Sequence, residues 1–151
     1  EFSGAAANKM FMSHVDTLYG VLEHLVPVMR SRRGGSVVTF SCNSVRYNYP
    51  WMAPFTAAKS AVDSLVRSLA NELAVDKIRL NSLQLASVQT RKVHDSKPNG
   101  DYDHFIDPQT LVPVIEFLLS PTSRLVSGSA LNLFEYSDKF YRTGYYDRVS
   151  K

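Results

Sequence analysis

Three short apolar stretches, residues 36–40, 78–83 and 130–134, each follow a longer stretch with helical periodicity, and this alternation constrains the fold more than any other feature. Strands that recur only after a helix cannot be joined as hairpins. The chain must cross a sheet face between them, which makes the strands parallel and the crossovers right-handed. The order helix, strand, helix, strand, helix, strand therefore predicts an α/β fold, half of a doubly wound parallel sheet. At 151 residues and 44% hydrophobic, the chain has apolar side chains enough for one such core. A three-stranded half-sheet has an open edge, so something is expected to cover it.

The spacing assigns the elements. From 10 to 32, Val15, Leu18, Leu22, Leu25 and Met29 recur three or four apart, with Pro27 expected to kink the helix and Gly34-Gly35 to stop it. Residues 43–52 lack periodicity and read as a loop. A second helix is expected over 54–75, opened by Pro54 and striped by Ala58, Val62, Leu65, Val66, Leu69 and Leu73. Residues 91–106 are polar with a turn at Pro98-Asn99-Gly100, and Asp107-Pro108 is a cap and first-turn proline opening a helix through Leu119. Domain boundaries are expected at 1–135 for the partial Rossmann-like domain and 136–151 for a tail rich in aromatics (Tyr136, Phe140, Tyr141, Tyr145, Tyr146).

Composition removes several function classes. Seventeen cations against fourteen anions, a net +3, is too even for a nucleic-acid binder judged by charge, and Arg30, Arg32 and Arg33 suit a helix C-terminus. No apolar run reaches the length of a membrane span. The single cysteine, Cys42, excludes an internal disulfide framework and fits an intracellular, reducing compartment, cytoplasmic or mitochondrial. The chain begins Glu1-Phe2 without a methionine, which suggests a piece of a longer protein.

Five stretches, in order, carry a family resemblance. Val15 to Gly20 looks like a helix that in the family holds an asparagine three residues before a glycine. Gly35-Ser-Val-Val-Thr-Phe-Ser41 looks like the strand leading to an active-site serine, and Phe55-Thr-Ala-Ala-Lys59 like a tyrosine-x-x-x-lysine helix. Ile78-Arg-Leu-Asn81 with Val88-Gln-Thr90 looks like the strand and turn beside a nicotinamide. Asp107-Pro108 through Pro121, then Val126 to Leu133, looks like the final helix and strand. Together they resemble the C-terminal half of a short-chain dehydrogenase/reductase over residues 10–135. The resemblance implies hydride transfer between NAD(P) and a carbonyl or hydroxyl, with a tyrosine as general acid/base. It also implies a lysine that lowers the tyrosine's pKa and holds the ribose, a serine on the substrate oxygen, and an asparagine anchoring a water.

This sequence departs from that pattern at most of those positions. The tyrosine position is Phe55, which has no proton to give. The serine position is Cys42, a weak donor, and the asparagine position is Thr17; only Lys59 is kept, with Thr90 as a weak further cofactor contact. Leu85-Ala86 replaces a Pro-Gly pair, and the glycine pair expected after Leu133 is missing. The family's glycine-rich turn belongs to the first half of its fold, and Ser3-Gly4-Ala5-Ala6-Ala7 is too poor in glycine to replace it.

Residues around this position offer stand-ins. Ser44, Tyr47 and Tyr49 in the following loop could supply a displaced hydroxyl, and Cys42 beside Lys59 could be an activated thiol; packing is the competing reading of both. The dienoyl-CoA reductase branch of the superfamily also lacks the tyrosine-x-x-x-lysine pairing, and Pro54 and the stretch from Thr143 to Asp147 are similar to it, but its upstream tyrosine position falls on Ser44. His94, Asp95, Asp101, Asp103, His104 and Asp107 show no metal-ligand spacing, so no metal is expected, and His14 and His24 have no paired nucleophile.

The expectation is a catalytically degenerate relative serving as a structural or assembly subunit, with no cofactor for this chain alone. The alternative is an NAD(P)-dependent oxidoreductase, of carbonyl or enoyl/dienoyl-CoA reductase type, with a rearranged site, its glycine-rich motif carried by an N-terminal half. In the family, helices matching 10–32 and 54–75 pack against a second subunit. The apolar residues Met10, Phe11, Met12, Leu18, Leu65, Val66 and Leu69 on them are accordingly expected to meet a protein partner or a second copy.

Overall fold

The computed structural model describes residues 3–96 and 98–134. Ser3 caps the first helix by accepting from the Ala6 N–H at 3.4 Å, so α1 (Gly4–Phe11) starts six residues before the expected boundary. One π turn, Met12–Asp16, joins it to α2 (Thr17–Ser31), and the helix runs on through Pro27. The α-helical hydrogen-bond pattern is interrupted at 12–16. There the Thr17 hydroxyl donates to the Met12 carbonyl, five residues back, at 3.2 Å.

β1 (Gly35–Cys42) leads into a single helical turn, α3 (Ser44–Tyr47), inside the stretch expected to be loop. α4 (Ala53–Glu72) follows, then β2 (Ile78–Leu85), α5 (Arg91–Ser96), α6 (Pro108–Leu119) and β3 (Ala130–Leu133). The stretch 91–106 therefore holds a helix as well as a loop. Asp107 caps α6 as its sequence implies, its carboxylate accepting from the Gln109 N–H at 2.9 Å. The tail 136–151, and with it the expected boundary at 135/136, lies outside the described residues.

The sheet is parallel, in the order β1-β2-β3. Gly35 pairs with Ile78 through to Cys42 with Leu85, and Ser82 with Ala130 through to Leu85 with Leu133. β1 pairs only with β2, so its other edge is open among the described residues, and Phe40 is 51% exposed beside it. On one sheet face, Leu22, Val66, Ala70, Leu73, Ile78 and Leu80 form the core, with Leu18, Val26, Met29, Val37 and Leu69 packed around it. Leu25, expected in the stripe, is 39% exposed, and Val26 takes its place. Within α2 the residues at 18, 22, 26 and 29 recur four, four and three apart, so Val26 continues the stripe that Leu22 begins. α6 covers the other face with buried Leu111 and Leu118. No helix among the described residues is long and apolar enough to cross a membrane.

Candidate functional site

In an open parallel α/β sheet, ligands collect at the carboxyl ends of the strands, and β1 ends at Cys42. Two α4 side chains one turn apart, Phe55 and Lys59, face that end. The Lys59 ammonium donates to the Phe40 carbonyl at 2.9 Å and lies 5.8 Å from the centre of the Phe55 ring. The opposite side of the cluster comes from the π turn, whose His14 meets the Phe55 ring edge-on at 5.5 Å. An imidazole, a phenyl ring and an ammonium are thus held together by three elements.

Electrostatics follow from this packing. Burial pulls the Lys59 ammonium below the ordinary lysine range, while Cys42 and Asp63 pull it back up. Burial also lowers the His14 pKa, and the Lys59 charge lowers it further. The neutral imidazole is therefore the favoured form beside the amine.

Cys42 is half-buried, and its sulfur accepts the Ser44 N–H at 3.4 Å and donates to the Asn43 side-chain oxygen at 3.7 Å. Phe55, Lys59 and Cys42 are brought together. The Thr17 hydroxyl is engaged within its own helix, and the Thr90 Oγ1 accepts the Val93 N–H at 3.4 Å at the start of α5. Leu85-Ala86 continues the sheet, with the Ala86 N–H donating to the Leu133 carbonyl at 3.0 Å. The Tyr47 and Tyr49 rings stack at 5.9 Å, and Tyr49 walls a groove over Ala53, Thr56, Ala57 and Ser60. Ser44 is fully buried.

His14 joins the cluster through the Phe55 ring, although the sequence pairs it with no nucleophile. Its signal is spacing: it lies three residues before Thr17, one turn along the same helix. Between α5 and α6, His94, Tyr102, Phe105 and His104 meet in a row at tilted to edge-on angles, with centroid separations of 4.4, 5.3 and 4.9 Å. Among the described residues no three His, Cys, Asp or Glu side chains are grouped to hold a metal ion.

Ser3 to Ala7 form a capped helix start, and one N–H of the Lys59 ammonium goes to the Phe40 carbonyl.

The short chain dehydrogenase family model matches residues 1–100. A tropinone reductase homolog of Arabidopsis thaliana is 25% identical over 141 residues, covering 87% of this chain and 44% of the relative. Carbonyl reductase [NADPH] 2 of Sus scrofa is 32% identical over 110 residues, 64% of this chain and 44% of its own. The NADPH-bound structure of a short-chain oxidoreductase from Pseudomonas aeruginosa, described as containing an atypical catalytic center, superposes with a TM-score of 0.80 at 20% identity. That superposition covers 88% of this chain and 57% of that one. The chain spans about half the length of the relatives it matches.

Proposed function

The chain belongs to the short-chain dehydrogenase/reductase family, and from that membership we propose that it keeps the family's fold without the family's chemistry, as a catalytically degenerate subunit of a larger assembly. The observation that carries this is Phe55. At the position where the family's acid/base hydroxyl would stand, a phenyl ring is wedged between His14 and Lys59 and can neither give nor take a proton. Positioned acid–base catalysis contributes on the order of 10²–10⁴-fold, so its loss alone removes most of a family member's rate. Phe55→Tyr is expected to recover little, because Thr17 and Cys42 are engaged locally. The test is a panel of ketones and enoyl-CoA thioesters with NADH and NADPH, using the longest polypeptide that contains these residues. Wild-type turnover would sink the proposal.

His14 favours a second reading, an NAD(P)-dependent oxidoreductase with a rearranged site. It places a titratable ring where the hydroxyl is missing. If turnover is seen and His14→Gln abolishes its pH dependence, this reading replaces the first.

A partner is part of the proposal. Of the apolar residues expected to meet it, Leu18, Val66 and Leu69 pack in or against the chain's own core, while Phe11 and Met12 are 38% and 63% exposed. A further exposed apolar stripe is Val21, Leu25 and Val28 of α2, four and three residues apart and each 39–49% exposed. We propose that a protein partner or second copy covers it. Leu25→Asp with Val28→Asp should convert the assembly to monomer in light scattering without changing the far-UV dichroism. A wild-type chain that is monomeric at high micromolar concentration would overturn it.

A further inference from the structure

At the amino ends of the strands, away from the cluster around Lys59, the turns entering β1, β2 and β3 are tied into one rim. The Gly35 N–H donates to the Lys77 carbonyl at 3.2 Å, joining the entries of β1 and β2. The Arg79 guanidinium donates to the Ser123 carbonyl at 3.0 Å, and the Leu80 carbonyl accepts the Gly128 N–H at 2.7 Å, which fixes the entry of β3. Two aliphatic side chains stand out from this rim. Val75, in the 3₁₀ turn Ala74–Asp76, is 87% exposed, and Leu125, just after the turn Pro121–Ser123, is 88% exposed. Around them lie Arg32 and Arg33 before β1, Lys77 before β2 and Arg124 beside Leu125. All four are exposed, and none is in an ion pair among the described residues. The anions of the rim are fewer: Asp76, already paired with Arg30 at 2.8 Å, and Glu72.

One exposed valine or leucine is ordinary on a protein surface. Two that stand almost wholly in water, on a rigid rim among unpaired cations, combine the features that hold a protein at an anionic lipid surface. We propose that this rim docks on a bilayer face containing anionic lipid, with the cations at the headgroups and Val75 and Leu125 in the acyl boundary. Charge complementarity selects an anionic partner. The aliphatic tips select lipid over a soluble acidic protein, because an acidic surface offers nothing apolar to cover them, and protein interfaces are anchored chiefly by aromatic and arginine side chains set in pockets. The chain lies on the membrane rather than in it, since no helix among the described residues is long and apolar enough to cross one. His14, Phe55 and Lys59, at the other end of β1, then face away from the lipid, so the docking does not depend on whether that site is active.

The experiment sediments the full chain with vesicles of mixed phosphatidylserine and phosphatidylcholine, and with vesicles of phosphatidylcholine alone. Binding is expected only where phosphatidylserine is present, and it should weaken as salt rises. Arg32→Gln with Arg33→Gln and Lys77→Gln should weaken it about a hundredfold, at roughly fivefold per charge. Val75→Ser with Leu125→Ser should weaken it about tenfold while leaving the far-UV dichroism unchanged. Orientation is read with brominated lipid. Leu125→Trp in a Trp51→Phe background should be quenched, whereas the native Trp51, beyond the carboxyl end of β1, should not. Failure to sediment with phosphatidylserine vesicles overturns the proposal, as does binding that survives both sets of substitutions. Equal affinity for soluble polyglutamate, indifferent to Val75→Ser with Leu125→Ser, would assign the rim to an acidic protein instead. Quenching of Trp51 in place of the residue at 125 would put another face on the lipid.

Discussion

Arg79→Met is expected to cost about 3–5 kcal/mol in urea unfolding, a large share of the stability of a domain this size. The guanidinium of this β2 residue reaches across to the end of α6 and the turn after it. One nitrogen donates to the carbonyls of Leu118 and Ser123 at 3.0 Å each, to the Ser123 hydroxyl at 2.8 Å and to the Val126 carbonyl at 3.4 Å. The other donates to the Ser120 carbonyl at 3.0 Å. These acceptors include carbonyls that the end of a helix leaves without internal partners, and the cation sits at the negative end of that helix's dipole. Methionine keeps much of the stem's volume but removes five charge-assisted bonds at once, leaving the carbonyls only their weaker neutral donors from Ser36, Asn81, Ser123 and Val126. Arg79→Lys should recover less than half of the loss, because one ammonium cannot reach both sides of the turn. A loss below about 1 kcal/mol for Arg79→Met would mean that water replaces the clamp at little cost.

Asp63→Asn should be nearly as damaging, about 2–4 kcal/mol by the same measurement. Asp63 is 1% exposed on the face of α4 that packs on the sheet. Each carboxylate oxygen accepts one bond, from the Ser82 hydroxyl at 2.8 Å and from the Gln84 amide at 2.7 Å. An asparagine can accept only one of these and must turn its own N–H₂ toward the other donor. The three side chains act as a unit, so removing them together with Asp63→Leu, Ser82→Ala and Gln84→Leu should destabilise less than Asp63→Asn alone. Additive losses across that set would show that the residues do not depend on one another.

These two side chains mark where reading the sequence stops. β2 alternates apolar and polar residues, which is legible as a strand, and Asp63 falls on the buried face of a legible helix. Nothing local says that the polar side of β2 is inside, since alternation ordinarily means one face in water. Arg79 and Asn81 are consumed by the segment 118–129, roughly forty to fifty residues further along. Asn81 donates to the Val126 carbonyl at 3.0 Å and accepts the Ser129 N–H at 3.1 Å. Such partners become visible only when a crossover has folded back.

At the candidate site the division is similar. The absence of a hydroxyl at Phe55 and the retention of Lys59 are properties of the sequence, and they need no coordinates. That Lys59 reaches the end of β1 beside Cys42 depends on how α4 packs on that strand, and neither local pattern gives a sign of it. The arrival of His14 on the Phe55 ring depends likewise on packing between elements.

By itself, the sequence determined the class of fold, because a helix between every pair of strands leaves parallel pairing as the arrangement that keeps the connections short and covers both faces of the sheet. It also determined the cap of α6, where Asp107 and Pro108 act within one turn of chain. Only the tertiary structure decided which polar residues are structural, which apolar residues remain exposed, and which titratable groups share a pocket. Each of those depends on contacts between segments far apart in the chain, and burial is a property of the pair rather than of either residue.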